Sequence, residues 1–313
     1  MFFRKLINFF KKDYVLHRLY KHLLARFIQK AKNTIIQRNS EADLAYGLFT
    51  GAEREEKIII SLTSFPKRLP TLHICLKSLL LQDEKPDRII VWFGEDVTED
   101  MITKEMLQLK EYGIEYRFVT GNLKPHKKYF YAMQEFPDAV VITVDDDVIY
   151  SSNMIRSLMK SHKSNPGSVC ARRVHVMYKD SNNNLLPYDT WKLECRSGKK
   201  PSMSLFATGV GGVLYPPYCL HKDAFDEEKI IDYCLEADDV WLKFMELRNN
   251  TPVVRVPCLV AVPPSISGTQ EFALCNTNVN YGKNDVYISN MVSMYPDSTN
   301  LIKTKRGGYA HNE

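Results

Sequence analysis

The stretch AVVITVDDDVIY (139–150) decides the fold, because an apolar run ends abruptly on three adjacent aspartates, Asp145, Asp146 and Asp147. Short runs rich in β-branched residues read as strands buried on both faces. Working outward, KIIISLT (57–63), RIIVWF (88–93) and IEYRFV (114–119) repeat the pattern upstream. Between them, apolar spacing predicts helices from about 69 to 81, near 103–112, and from about 127 to 135. Strands alternating with helices imply an α/β fold, a mainly parallel sheet with helices on both faces. Ligands of such sheets bind beyond the carboxyl ends of the strands. Chemistry is therefore expected at two strand ends, from Thr63 to Arg68 and at the aspartates.

Downstream the pattern loosens. SNNNLLP (181–187) and RSGKKPS (196–202) read as loops, GGVLYP (211–216) as a strand, residues 238–247 as a helix, and VVRVP (253–257) closes the ordered part. Loops at 177–205 and 263–290 are expected to shape the substrate pockets. The predicted division is a basic amphipathic segment over 1–50, one α/β domain over 51–300, and a tail over 301–313.

Composition narrows the classes. At 44% hydrophobic and 25% charged residues, the chain is neither disordered nor fibrous. No stretch approaches the roughly 20 apolar residues needed to span a bilayer. Charges also interrupt every apolar run near the N-terminus, so no secretory signal is read there. A cytoplasmic protein is expected. The seven cysteines are scattered and form no C-x-x-C pair, which removes zinc-ribbon and thioredoxin-like sites and leaves reduced thiols.

The net charge of +5 is unevenly placed. Residues 1–38 hold ten basic residues against one acid, Asp13, so +9 resides there and −4 in the remainder. A nucleic-acid partner is not implied by a globular part that is mildly acidic. In residues 2–36, Phe2, Leu6, Phe9, Leu16, Leu19, Leu23, Phe27 and Ala31 recur at helical spacing, with cations largely elsewhere around the helix. Such a segment suits the interface of an anionic membrane, and equally a partner subunit or the protein's own core.

Three carboxylates at the mouth of a buried strand repel one another unless a cation neutralises them. Oxygen ligands suit Mg2+ or Mn2+, which bind through one or two carboxylates plus substrate phosphates. The competing reading is an acidic turn capping the helix that starts near Ser151. A second acidic element, LEADDVWLKFM (235–245), puts Asp238 and Asp239 at a helix start, where capping explains one of them and general-base work the other. Between the two lies FATGVGGVLYPP (206–217), whose Gly211 and Gly212 permit close backbone approach and mark a candidate acceptor surface. It is neither a Walker loop nor a dinucleotide fingerprint. Arg68, Lys127 and Lys128 are cations suited to phosphate. His126, His175 and His311 are candidate metal ligands, each more simply read as structural.

Taken in order, ISLTSFPKRL, KPDRIIVWF, PHKKYFYAM, VITVDDDVIY, TGVGGVLYPP and EADDVWLK resemble a family of bacterial glycosyltransferases with the GT-A fold, the large inverting family 2 of polysaccharide and lipopolysaccharide synthesis. The resemblance runs over about 56–290 and includes NYGKND (280–285). It implies a nucleotide-sugar donor, commonly a UDP-sugar, and a glycan or lipid-linked acceptor. It also implies a metal-binding Asp-x-Asp motif whose outer positions fall on Asp145 and Asp147, with Asp146 between them on the donor side. Thr63 and Arg68 match its nucleotide-proximal strand end, and Lys128 its donor-side helix. The catalytic base maps to the pair Asp238 and Asp239, with Asp239 preferred because it directly precedes Val240. Glu236 adds a further carboxylate to that element. The expected activity is a metal-dependent, inverting glycosyl transfer. The alternatives are a catalytically silent carbohydrate- or nucleotide-binding module, and a sugar nucleotidyltransferase of the same fold. The second would carry a glycine-rich basic signature that TSFPKRL lacks.

Overall fold

The computed structural model describes residues 14–197, 200–269 and 283–305. Four strands form where the apolar runs predict them, β1 (Ile58–Thr63), β2 (Arg88–Phe93), β3 (Ile114–Phe118) and β4 (Val140–Thr143). Each exposes almost nothing on β1, β2 and β4, as a strand covered on both faces must. Along β1 the side chains alternate, with Ile58, Ile60 and Leu62 in one core cluster and Ile59 in another. The first cluster takes α2 (Leu69–Leu80) and α3 (Lys104–Leu109), and the second takes α4 (Lys127–Glu135). The helix predicted near 103–112 ends at Leu109, and residues 110–112 form a single 3-10 turn, ended by Gly113 at φ +110°.

The remaining elements are shorter. They are α5 (Met154–Ser164), β5 (Val169–Ala171), β6 (Val174–Val176), β7 (Leu205–Ala207), β8 (Val213–Tyr215), α6 (Glu227–Cys234), α7 (Asp238–Arg248), β9 (Val253–Arg255) and α8 (Lys283–Met294). Seven strands make one sheet in the order β3-β2-β1-β4-β8-β5-β9, while β6 and β7 pair separately. All neighbours in the large sheet are parallel except at β8, which runs against both β4 and β5. The carboxyl ends of β4, β5 and β9 therefore share one edge with the amino end of β8. Registers align Thr143, Val213, Ala171 and Arg255 in one row across the sheet.

Three expectations change. β5, β6, β7 and α6 occupy ground read as irregular, and the expected loop 263–290 turns helical from Lys283. Residues 302–305, expected in a tail, are joined to the body, since Ile302 is buried and the Lys303 and Lys305 amides donate to Ser204 Oγ and Lys179 O. At the other end a long helix, α1 (Tyr14–Glu41), is held by its last turns, with Ile35 against the core and Asn39 Nδ2 donating to Ile74 O at 3.1 Å. The predicted apolar positions Phe2, Leu6 and Phe9 lie outside the described residues, as do His311 and the NYG of NYGKND. No helix among the described residues is long and apolar enough to cross a membrane.

Candidate active site

The aspartate run leaves β4 at its carboxyl end and is pinned by its backbone. Asp145 N donates to Tyr150 Oη at 2.8 Å, Cys75 Sγ donates to Asp145 O at 3.3 Å, and Ile266 N donates to Asp147 O at 2.9 Å. The helix-capping reading fails here. α5 begins only at Met154, after Asn153, and receives no side-chain cap. The carboxylates instead meet cations from two earlier elements. Arg68, buried at the start of α2, lies 3.4 Å from Asp146 and 3.0 Å from Asp147. Ser64 Oγ adds a hydrogen bond of 2.5 Å to Asp146. Lys128, on the first turn of α4, lies 3.0 Å from Asp145 and 2.8 Å from Asp238.

Lys128 thus joins two acidic sets that the sequence places far apart. Its side chain is only 7% exposed. Burial pulls its ammonium down, but Asp145 and Asp238 outweigh burial and hold it charged, well above its ordinary value. A lysine so engaged bridges the two acidic sets from the helix on which a phosphate-suited cation was expected. Arg68 is likewise committed to Asp146 and Asp147. Thr63, at the end of β1, donates its hydroxyl to Trp92 O at 2.8 Å and ties β1 to β2. Lys127 sits apart from this cluster, donating to Asn122, and burial lowers its pKa to about 8.

On α7 the N-cap is Ala237, and it makes no side-chain cap. Asp238 and Asp239 therefore stand in the first turn, where the positive end of the helix favours negative charge. Burial opposes ionisation of Asp238, and Lys128 overcomes it, so this carboxyl is lowered. Burial and the neighbouring Asp238 charge push Asp239 the other way, up. The Gly209 amide donates to both Asp239 oxygens, at 3.1 and 3.2 Å. A Cβ on Gly209 would stand 2.9 Å from Lys128 Nζ and 3.0 Å from Asp145 Oδ1, so a side chain here would press on both acidic sets.

The glycine that reaches the site is therefore Gly209, which the sequence reading passed over in favour of Gly211 and Gly212. Those two adopt φ of +105° and +93° and are packed inward. An added Cβ would strike Ala261 O at 2.5 Å or Met154 at 3.0 Å. They make the turn into β8 and offer no acceptor surface. His126 and His175 are core residues too. His126 engages Cys234 O and Tyr129 Oη, His175 accepts from Glu194 N, and burial drops both to about 4. Glu236 turns outward to Lys283 and Tyr287.

Five carboxylates meet two cations in this cluster, Lys128 and Arg68. Burial lifts Asp146 to about 6 against the pull of Arg68, and burial with the Asp145 charge raises Asp147. The described residues include no group of three or more ligating side chains able to enclose a metal on their own. The donor set fits a hard divalent cation that takes one or two carboxylates and completes its shell from a phosphate-bearing ligand.

Residues 62–210, just under half of the chain, match glycosyl transferase family 2. The matched segment contains Thr63, Arg68, Lys128, Asp145–Asp147 and Gly209 but ends before Asp238 and Asp239. No curated protein is a sequence match. Among solved structures, the mannosyltransferase PcManGT from Pyrobaculum calidifontis, in complex with GDP-Man and Mn2+, superposes with a TM-score of 0.50 at 9% identity, over 88% of this chain and 76% of that one. Glucosyl-3-phosphoglycerate synthase from Mycobacterium tuberculosis, in complex with Mn2+, UDP and glucosyl-3-phosphoglycerate, gives 0.29 at 13% identity, over 41% of this chain and 51% of that one. The mixed sheet flanked by helices is the GT-A fold.

Proposed function

We propose that this chain, with its glycosyl transferase family 2 segment and GT-A sheet, is a metal-dependent glycosyltransferase that moves a sugar from a nucleotide-sugar, a UDP-sugar in the first instance, to a hydroxyl of a glycan or lipid-linked acceptor. The observation that carries the reading is the Lys128 bridge, which brings the Asp145 set and the Asp238 set into one cleft. Asp145 and Asp147 would hold Mn2+ or Mg2+, which when bound offsets charge on the departing nucleoside diphosphate. Thr63, Arg68 and Asp146 line the donor side, Arg68 by keeping the run in place. Asp239 is the general base. It takes the proton of the acceptor hydroxyl while that oxygen attacks the anomeric carbon and the bond to the diphosphate breaks, which inverts the configuration. Asp238, held ionised by Lys128, positions it. The GT-A body spans 51–305, with α1 as an arm.

The experiment is a panel of UDP-, GDP- and CMP-sugars with and without Mn2+, read as nucleotide release. Binding without release under every condition would favour the silent module. Pyrophosphate exchange from a sugar phosphate would favour the nucleotidyltransferase.

We propose also that α1 lies on an anionic lipid surface, which would place the enzyme peripherally on a membrane, in surface polysaccharide synthesis. Leu19, Leu23 and Phe27, four residues apart, form an exposed stripe, with Phe27 64% exposed. Arg18, Lys21, Arg26, Lys30 and Lys32 flank it with no acid among residues 14–40. Apolar area and cations together suit an anionic interface. Sedimentation with phosphatidylglycerol vesicles, weakening at high salt and absent with phosphatidylcholine, is the expected result. Deleting residues 1–36 without loss of sedimentation would end this part of the reading.

A further inference from the structure

One guanidinium stands outside every pairing described above. Arg255, the last residue of β9, is 8% exposed, and its Nε is buried with no partner. Among the described residues its side chain makes no hydrogen bond and no ion pair. Its terminal nitrogens are not among the buried unpaired atoms and so reach solvent, with no carboxylate of the described residues to hold them, which leaves the fork open to an anion. Arg172 makes a useful contrast. It is also buried and lacks an acid among the described residues, yet it donates to Ser151 Oγ and Val260 O and so ties the stretch after the aspartate run to the segment after β9. Arg255 clamps nothing.

Its position is informative. Arg255 shares the row of Thr143, Val213 and Ala171, so it sits on the same sheet edge as the aspartates, about 14 Å from Thr143 across three strand spacings. Residues paired in one row point to one face. Val213 and Ala171 pack with α7, so Arg255 faces the side that carries Asp238 and Asp239. On the adjoining strand end, Arg173 donates to Thr208 Oγ1 at 3.2 Å, beside the Gly209 amide that holds Asp239. Its acid among the described residues, Glu194, is largely solvated.

We infer that Arg255, supported by Arg173, binds a phosphate group carried by the acceptor, on the side of Asp239 away from the aspartate run. A guanidinium fork matches phosphate oxygens in pairs, which a point charge cannot do. The word "acceptor" rests on the glycosyl-transfer reading, whereas the anion site stands without it.

The test titrates inorganic phosphate, methyl phosphate and acetate into the full chain without donor or metal, read by calorimetry and 31P line broadening. Phosphate and methyl phosphate are expected to bind, acetate more weakly. Arg255→Met is expected to weaken phosphate at least tenfold while melting no lower than the parent, since no hydrogen bond or ion pair of the described residues is lost with it. Arg255→Lys, which keeps charge and stem, is expected to lose most of the affinity too. Adding Mg2+ with UDP or GDP should leave phosphate bound, because the two sites are separate. Displacement by the nucleotide, unchanged affinity in Arg255→Met and Arg255→Lys, or acetate binding as tightly as phosphate would each overturn the inference. Should Arg255→Met fail to fold, its cation is structural and the inference also falls. Nucleotide release in the sugar panel is read separately, so failure of either proposal is distinguishable from failure of the other.

Discussion

The two acidic sets of the cleft are built from one kind of side chain and end in different charge states. At the end of β4, three consecutive aspartates are spread over separate partners, Lys128 for Asp145 and Arg68 with Ser64 for the other two. At the start of α7, two aspartates share a single cation, and Lys128 sides with Asp238. Among the described residues Asp239 receives a hydrogen bond only from a backbone amide, and burial beside a charged neighbour raises it. The first set is a place where negative charge gathers and another cation is welcome. The second holds one fixed charge and one carboxyl close to exchanging its proton. Metal binding suits the former and proton transfer the latter, and composition alone does not distinguish them.

The contrast is broken most directly at Asp239. Asp239→Asn is expected to lower turnover by about a thousandfold with nucleotide binding unchanged, measured by steady-state kinetics beside calorimetry. Collapse of nucleotide binding instead would assign Asp239 to the first set. In the parent enzyme, kcat/KM should fall toward acid with a midpoint above the ordinary carboxylate range, because the raised Asp239 must lose its proton to serve as base.

Next in size is the bridge. Lys128→Met leaves Asp145 and Asp238 facing each other without their cation and should cost about 3–5 kcal/mol of stability. The loss should shrink as the pH falls and the carboxyls protonate. A melting temperature like the parent's would show the two sets to be independent.

Asp147→Asn sharpens the other side. It should weaken Mn2+-dependent nucleotide binding by at least the roughly 10–100-fold typical of losing a mere supporting residue at a metal site. Metal-independent binding should stay as it was.

The smallest expected effect concerns the walls. His126 and His175 are held near 4 by burial, below their unfolded value, so the folded chain takes up their protons later than the unfolded chain. Stability is full above about 6.5 and falls as the pH drops toward 4, on the order of 2 kcal/mol for each at pH 5. Thermal melts of His126→Gln and His175→Gln should show a flatter acid limb than the parent. An equally steep limb would place the sensitivity in the carboxylates.

Legibility in the sequence follows length and chemistry of signal. β1 to β4 are four to six residues of β-branched or aromatic chain with helices between, and their alternation survives without the structure. β5, β6 and β7 are three residues each, as is β8, but β8 lies in the apolar run VLYP behind two glycines, whereas the others have no such local frame and depend on tertiary partners. Of the proposed site, Asp145 to Asp147 were legible because they end an all-apolar strand, and Asp238 with Asp239 because one helix cap accounts for only one of them. Gly209 stayed hidden in FATGVGG since it contributes a backbone N–H, which no side-chain pattern announces. That Lys128 reaches Asp238 is a long-range contact with no local trace. Arg255 did leave a signal, a charge inside the apolar run VVRVP, where a core strand would hold another valine.

The antiparallel strand β8 has a consequence for how the molecule is made. During synthesis β1 to β4 emerge first, and β4 is then an open edge of apolar residues with unpaired backbone groups. That edge stays open until residues 213–215 leave the ribosome and slot in from the opposite direction. A nascent chain halted anywhere between β4 and β8 therefore presents a template for pairing with other chains. The Asp145 set sits at the end of that same strand, so the residues that would bind metal are finished well before the edge beside them is closed.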